Sequence, residues 1–115
     1  MRSIKILLFD HSTMRMPFLS EVLQSAGEVV EFKEMSKAMT AITRGLDVDV
    51  AVLHYRLALT PLIQAIRRVQ PGAKIVGFGT PRPDPPLGVD QYLSQPILSA
   101  ELRRAVERAS AKQPN

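Results

Sequence analysis

The sequence contains no cysteine among its 115 residues. This absence excludes disulfide bonds, cysteine-ligated zinc and a thiol nucleophile, and it fits a reducing compartment. Long hydrophobic runs are also lacking, because the longest ones, such as residues 6–9 and 50–53, are far too short to cross a bilayer. The amino-terminal residues lead directly into a strand-sized run, so the sequence predicts no signal peptide. We therefore expect a cytoplasmic protein that does not enter a membrane.

A strong charge of one sign is lacking as well. The 15 Lys and Arg residues exceed the 11 Asp and Glu residues by only four, for a formal net charge of +4. This mild basic excess permits an acidic partner without requiring one. Hydrophobic residues make up 45% of the chain, which is enough for one core at this length. We predict a single domain over residues 1–111, followed by a tail or the start of a linker at residues 112–115.

Five short apolar runs alternate with amphipathic helical patterns along the chain. The runs cover residues 4–9, 29–32, 50–53, 74–78 and 91–93. Continuous runs of this length are typical of strands in a parallel sheet that is covered on both faces. The helical patterns cover residues 14–26, 37–44, 60–69 and 100–111. Right-handed crossovers then favour an α/β fold, a doubly wound five-stranded parallel sheet in the order 2-1-3-4-5.

Capping residues suggest where the helices begin. Ser36 and Ser99 are predicted caps of the second and fourth helices. Thr60-Pro61 predicts the start of the third, with Thr60 as the capping hydroxyl and Pro61 as the first helical residue. The apolar stripe of the third helix is predicted to bury Leu62, Ile63, Ile66 and Val69.

The connection between the fourth and fifth strands is predicted to lack a helix. Residues 79–88 read GTPRPDPPLG, with prolines at positions 81, 83, 85 and 86, and each proline inside a helix costs about 3 kcal/mol. An extended segment of this kind advances about 3.1 Å per residue, so it could return the chain for a parallel fifth strand. A rigid connector is the favoured interpretation, and a proline-rich docking segment is the alternative.

Polar side chains follow several of the predicted strands, at the edge where ligands bind in open parallel sheets. The ends of the first, third, fourth and fifth strands read Phe9-Asp10-His11, His54, Gly79-Thr80 and Ser94-Gln95-Pro96. These residues are the candidates for a functional site.

Three segments resemble the receiver domains of two-component response regulators. They are ILLFDHSTMR at residues 6–15, DVAVLHYRLA at residues 49–58 and GVDQYLSQPILSAEL at residues 88–102. The third segment is similar to the family's glycine-alanine-aspartate, tyrosine-leucine and lysine-proline pattern, with Pro96 in the place of a usually cis proline. The resemblance covers nearly the whole chain, and it implies the flavodoxin/CheY-like fold and a role in two-component signal transduction.

The same resemblance implies that the phosphorylation pocket is degenerate. Where receivers carry a pair of acidic metal ligands, this chain has Phe9 and Asp10, so one carboxylate is missing. His54 stands in the place of the aspartate that accepts the phosphoryl group. Mg²⁺ prefers a shell of oxygen ligands, and phosphoryl transfer depends on neutralising the charge of the phosphoryl oxygens.

Two further pocket positions depart from the family pattern. Gly79 stands in the place of a Ser or Thr that binds the phosphoryl group, although Thr80 is adjacent, and Gln95 replaces a lysine. The resemblance therefore implies a pseudo-receiver that is not an enzyme and that holds no metal or other cofactor.

His54 has more than one interpretation at this stage. The favoured one is a partly buried histidine that hydrogen-bonds Asp10. The alternatives are a switch gated by a metal or a ligand at Asp10, His11 and His54, and a phosphohistidine acceptor or pH sensor. Phe9 is expected to fill the core, and it could also plug the vacated metal site.

The favoured function is a phosphorylation-independent signalling module that binds a protein partner of a signalling pathway. By resemblance, the fifth strand and last helix suggest a partner surface around Tyr92, Arg104 and Arg108, and a homodimer through that helix. DNA association through the basic last helix is a weaker alternative. The chain has no DNA-binding motif, and Tyr55 and Tyr92 are its only candidate stacking tyrosines.

Overall fold

The computed structural model describes residues 4–10, 17–82, 84, 86 and 88–110. Within these ranges the strands are β1 (Lys5–Phe9), β2 (Glu28–Phe32), β3 (Val50–His54), β4 (Lys74–Gly79) and β5 (Gln91–Ser94). The α-helices are α1 (Pro17–Ala26), α2 (Met35–Thr43), α3 (Thr60–Val69) and α4 (Ser99–Ser110), and a 3₁₀ turn at Leu57–Leu59 precedes α3. His11, residues 14–16 of the first predicted helix and the tail at 112–115 lie outside the described residues.

The strands form one parallel sheet in the order β2-β1-β3-β4-β5. This order confirms the predicted doubly wound α/β fold. Each helix that joins two parallel strands packs on a face of the sheet, which explains why the strands are short, apolar and without strict alternation. No helix within the described ranges is both long enough and apolar enough to cross a bilayer.

Successive side chains of a strand point to opposite faces of the sheet, and the two faces have separate cores. The face under α2 and α3, called here the α2–α3 face, includes Leu7, Leu53, Ile75, Ile42 and Ile66. The face under α1 and α4, called the α1–α4 face, includes Leu8, Val52, Val76, Leu23 and Val106. The face to which a residue at a strand end points therefore follows from its place in this alternation.

Two aspartates join neighbouring strands at the amino edge of the sheet. Asp49 Oδ2 accepts a hydrogen bond of 2.8 Å from the Lys5 backbone amide. Asp90 Oδ2 accepts one of 2.7 Å from the Ile75 backbone amide. Each carboxylate thus satisfies a main-chain donor where the ladder between two strands begins. Their role in this structure is to hold the strands in register.

The predicted helix caps at Ser36 and Ser99 are wrong. Glu34 is the N-cap of α2, and Ser36 lies inside the helix, where its carbonyl oxygen accepts a 2.9 Å hydrogen bond from Thr40 Oγ1. Ser99 is the first helical residue of α4 rather than its cap. The cause is the same at both ends, because the helical hydrogen bonds extend one or two residues further back than the capping preference suggests.

α3 begins at Thr60 as predicted, but Thr60 is its first helical residue rather than its cap, since Leu59 is the N-cap. One member of the predicted buried stripe is also wrong. Val69 is 40% exposed, whereas Ala65 is fully buried. Val69 is the last residue of the helix, directly before the chain turns away at Pro71 and Gly72. The end of the helix therefore extends beyond the sheet that covers its other apolar residues.

The connection from β4 to β5 contains no helix within its described residues. Pro81 and Arg82 are exposed, whereas Pro86 is buried. Pro83, Pro85 and Leu87 lie outside the described residues. Irregular chain therefore takes the place of a fourth crossover helix as far as the structure describes this connection.

Candidate functional site

Four of the predicted pocket positions meet at the carboxyl edge of the sheet. Asp10 follows β1, His54 ends β3, Gly79 ends β4 and Gln95 follows β5. The main chain joins the last two, since the Gln95 amide donates a 2.7 Å hydrogen bond to Gly79 O. The Gln95–Pro96 peptide bond is cis, as the resemblance implied.

Asp10 and His54 lie side by side across β1 and β3. Asp10 Oδ1 lies 3.4 Å from His54 Nδ1, with the two side chains 8% and 18% exposed. This distance is longer than a usual N–H···O hydrogen bond but lies within ion-pair range. The contact is an ion pair only when both ring nitrogens carry protons. The predicted adjacency is therefore present, with a longer separation than the hydrogen bond that was expected.

An aromatic ring fixes the plane of the His54 imidazole. The ring of Phe78, which is fully buried, stacks against it with a centroid separation of 5.0 Å and an interplanar angle of 8°. The two residues are register partners on β3 and β4, so the stack follows from strand pairing. One side of the imidazole is thus closed by an apolar surface, and its edge faces Asp10.

Phe9 is part of the hydrophobic core. Its side chain is 2% exposed and belongs to the cluster of Leu53 and Leu59 on the α2–α3 face. Asp10, the next residue along the chain, takes the alternate position and so belongs to the opposite face. The core-filling interpretation of Phe9 fits this placement, because the phenyl ring packs under α2 and α3 rather than beside Asp10.

The described residues at this edge do not fit the Mg²⁺ site of the receivers that the chain resembles. Within the described residues no group of three or more His, Asp or Glu side chains is arranged to hold a metal ion. The edge supplies the carboxylate of Asp10 and the imidazole of His54, whereas Mg²⁺ requires near-octahedral oxygen coordination. We therefore assign no metal to this site.

Gly79 allows Tyr92 to lie against the end of β4. A Cβ added at Gly79 would lie 2.9 Å from Tyr92 Oη, and the backbone φ there is +156°. The Tyr92 hydroxyl donates a 2.7 Å hydrogen bond to Thr80 O. The tyrosine hydroxyl therefore occupies the space where any side chain at position 79 would project. Thr80, the adjacent candidate, contributes its carbonyl oxygen to this contact.

A second glycine completes the surface under the tyrosine ring. A Cβ at Gly77 would lie 3.3 Å from both Tyr92 Cδ1 and Val89 Cγ1. Gly77 is the register partner of Tyr92, and Val89 packs against the core of the α2–α3 face. Two glycines at alternate positions of one strand thus form a flat strip that the tyrosine ring covers.

Tyr55 and Arg82 extend this aromatic cluster. The Tyr55 and Tyr92 rings meet edge to face at 6.3 Å and 82°, and the Arg82 guanidinium carbon lies 5.1 Å from the centroid of the Tyr55 ring. Burial raises the pKa of the Tyr92 phenol above its usual value, and the positive charge of Arg82 opposes that shift.

The three predicted partner residues do not lie on one face of the sheet. Tyr92 packs on the α2–α3 face, whereas α4 covers the other face. Arg104 and Arg108 are exposed on α4, with Glu101 and Glu107 on the same helix. The mixed charges of α4 are typical of a solvated surface, and DNA association through this helix stays a prediction.

The structure is similar to solved receiver domains over nearly its whole length. The BeF3-activated receiver domain of DrrB is 21% identical with a TM-score of 0.77, covering 95% of this chain and 97% of that chain. A response regulator receiver protein from Sinorhizobium medicae is 23% identical, with a TM-score of 0.76 and 94% coverage of both chains. The chain has the receiver fold. No protein-family model and no curated protein sequence matches it.

The same fold is found in a protein named for another process. A putative pilus assembly protein, CpaE, from Burkholderia thailandensis is 22% identical with a TM-score of 0.71, covering 95% of this chain and 99% of that chain. At these identities the similarity concerns the receiver fold alone.

Sequence reasoning missed the contribution of Gly77, Tyr55 and Arg82 to the site. A signal for the first was present, because glycines at alternate positions of a strand indicate close approach of another group. The cation–π contact of Arg82 with Tyr55 had no such signal, since it depends on how the proline-rich connection leaves β4.

Proposed function

We propose that this domain is a phosphorylation-independent signalling module with the receiver fold, which acts by binding a protein partner and performs no chemistry of its own. One observation carries the proposal. Among the described residues at the positions of the receiver pocket (Asp10, His54, Gly79 and Gln95), Asp10 is the one carboxylate, and its Oδ1 lies 3.4 Å from His54 Nδ1. A partner protein in the cytoplasm is the expected target, and a homodimer through α4 is a second mode of the same function.

The charges at this edge argue against an aspartyl phosphate. An acyl phosphate needs a carboxylate nucleophile and cations that neutralise the phosphoryl oxygens. The residue at the end of β3 is His54, and Gln95, at the edge of β5, carries no charge. The carboxylate of Asp10 would repel a phosphoryl group placed beside it.

The aromatic cluster supports a fixed rather than a switching surface. Tyr92 rests on Gly77 and Gly79, and its hydroxyl is bonded to Thr80 O. Tyr92 fills the space at the end of β4 in the unmodified protein. No phosphoryl group is therefore needed to bring it to that position. A partner can therefore recognise the unmodified protein.

The test is exposure to acetyl phosphate, and separately to beryllofluoride, with Mg²⁺. We expect no gain of mass and no change in the amide NMR spectrum, while the DrrB receiver domain, which has been described in a BeF3-activated form, serves as the positive control. A mass gain of one phosphoryl group would contradict the proposal. If that gain disappears in His54→Gln but persists in Asp10→Asn, the acceptor is the histidine.

A ligand-gated switch is the second candidate, because Asp10 and His54 are adjacent at the carboxyl edge. Ligands that bind only the native state raise its apparent stability. Titration with Zn²⁺, Mg²⁺ or inorganic phosphate would then raise the melting temperature of the native chain, and Asp10→Asn would abolish the increase. An unchanged melting temperature excludes those ligands at the concentrations used.

A further inference from the structure

A groove runs along α3, on the side of the sheet where the β4–β5 connection contains no helix in its described part. Its volume is about 530 Å³, and it is lined by Thr60, Ile63, Gln64, Arg67, Arg68 and Gly88. The five residues from α3 follow the spacing i, i+3, i+4, i+7 and i+8, which is one continuous stripe of a helix. At 1.5 Å per residue this stripe is about 12 Å long.

The wall opposite α3 is held in place by direct contacts. A Cβ at Gly88, where φ is +84°, would lie 2.9 Å from Ile63 Cγ2, so the loop backbone packs directly onto the helix. The Arg67 guanidinium donates hydrogen bonds to Gly88 O at 2.7 Å and to Asp90 Oδ2 at 2.7 Å. The groove is therefore formed before any partner arrives, which lowers the entropic cost of binding.

The shape of the groove suits a helix better than a small molecule. Pockets for small ligands bury most of the ligand surface between several walls, whereas here one helix forms nearly the whole lining. A second helix packs on such a stripe by fitting its ridges between those side chains. Val89 and Tyr92, on the same face of the sheet, are only partly buried, so this side of the domain has room for another covering element.

The charge of the groove selects an acidic helix. The sequence of α3 contains no acidic residue, and Arg67 and Arg68 occupy its last turn. The nearby carboxylate of Asp90 is paired with Arg67. Asp90 therefore does not balance the positive charge of Arg68 at the rim of the groove. An acidic side chain is attracted there, and a basic one is repelled.

A second copy of this chain does not supply such a helix. Among the described helices, α1 carries Glu21 as its one charged residue, α2 carries Lys37 and no acid, and α4 carries three arginines against Glu101 and Glu107. None of them has an acidic face of several carboxylates. The whole chain has a formal charge of +4, so two copies repel each other at long range.

We propose that the groove between α3 and Gly88 binds an acidic amphipathic helix of a protein partner. The apolar face of that helix packs on the carbon stems of Gln64, Arg67 and Arg68 beside Ile63, which is itself 4% exposed, and its acidic residues face Arg68. The proposal rests on the proposed function in one respect, that the domain works by protein contact, and it names the surface and the partner chemistry.

The experiment screens displayed amphipathic helices of about 14 residues, or four turns, against the full chain. One library carries Glu on the polar face with varied apolar positions, and a matched library carries Lys. We expect binders from the Glu library, whose amide NMR shifts concentrate on α3 and Gly88. Arg68→Glu should weaken them about tenfold, since rim charges govern steering and register.

Arg108→Glu is the matched control, because it reverses an exposed arginine on α4. We expect the affinity of this variant for the binders to lie within about twofold of that of the native chain. Gln64→Glu should weaken binding although Arg68 is unchanged, because it places a negative charge in the groove. Absence of binders, equal binding of the Lys library, or equal loss in Arg108→Glu would overturn the proposal. Phosphate uptake is measured on the unliganded chain, so the groove and the proposed function can fail separately.

Discussion

Replacing Gly79 by alanine tests whether Tyr92 is held by the shape of β4. The added Cβ would lie 2.9 Å from Tyr92 Oη, closer than carbon and oxygen atoms approach without a bond. Either the tyrosine hydroxyl moves away from Thr80 O, to which it donates at 2.7 Å, or the end of β4 shifts. Both responses destabilise the native state.

The magnitude follows from the two parts of the change. Loss of the Tyr92–Thr80 hydrogen bond costs about 1 kcal/mol. The backbone at Gly79 has a φ of +156°, and a side chain in a sparsely populated conformation adds about 1–3 kcal/mol. We therefore expect Gly79→Ala to lower the free energy of unfolding by about 2–4 kcal/mol. Gly72 is the matched control, because no atom lies within 4 Å of its added Cβ.

The assay is urea denaturation followed by circular dichroism, applied to a double-mutant cycle. In the Tyr92→Phe background the hydroxyl is absent, so Gly79→Ala should cost about 1 kcal/mol less than in the native chain. Gly72→Ala should change stability by no more than about 1 kcal/mol in either direction. Full additivity of Gly79→Ala and Tyr92→Phe would refute the reasoning, as would an equal loss in Gly72→Ala.

Three further measurements test other parts of the structure. Ultraviolet titration should show one tyrosine ionising above the usual pH of about 10, and this transition should disappear in Tyr92→Phe. Burial raises the pKa of Tyr92 in the folded state. The contribution of the neutral phenol to the free energy of unfolding is therefore fully present below the unfolded-state pKa, and it is lost as the pH rises through the folded-state pKa. Asp90→Ala should cost about 2 kcal/mol by removing the acceptor of a backbone amide, whereas Asp47→Ala, at an exposed position, should be nearly neutral; equal losses would contradict this role. Phe9→Ala should cost about 3–5 kcal/mol in the same assay, and a loss below 1 kcal/mol would mean that the ring is not part of the core.

The fold was predictable because its signals are local and repeated. Continuous apolar runs predict covered parallel strands, and helical patterns between them leave few topologies once the crossovers are right-handed. The same reasoning failed at helix ends such as Ser36 and Ser99, because the actual first residue depends on hydrogen bonds that the capping preference does not fix. The predicted burial of Val69 was wrong for a tertiary reason, since the described elements leave 40% of this residue at the end of α3 exposed.

The sequence allowed most residues of the candidate site to be predicted, but only part of its geometry. Strand ends come together in any parallel sheet, so the adjacency of Asp10 and His54 followed from topology. Their separation of 3.4 Å and the stacking of His54 on Phe78 did not, because both depend on side-chain rotamers. The placement of Tyr92 and α4 on opposite faces was missed, since nearness in sequence does not determine which face a β5 side chain takes.

The distribution of carboxylates explains how this sheet can be stable without a metal site. Asp49 and Asp90 lie at the amino edge, where each accepts a backbone amide from a neighbouring strand. Asp10 lies at the carboxyl edge, and His54 lies beside it. Two carboxylates close together there would repel each other unless a cation or a proton compensated them. With Phe9 directed into the core, there is no second carboxylate at position 9 to repel that of Asp10. Asp49 and Asp90, in contrast, stabilise the fold directly, because each satisfies a backbone amide of a neighbouring strand.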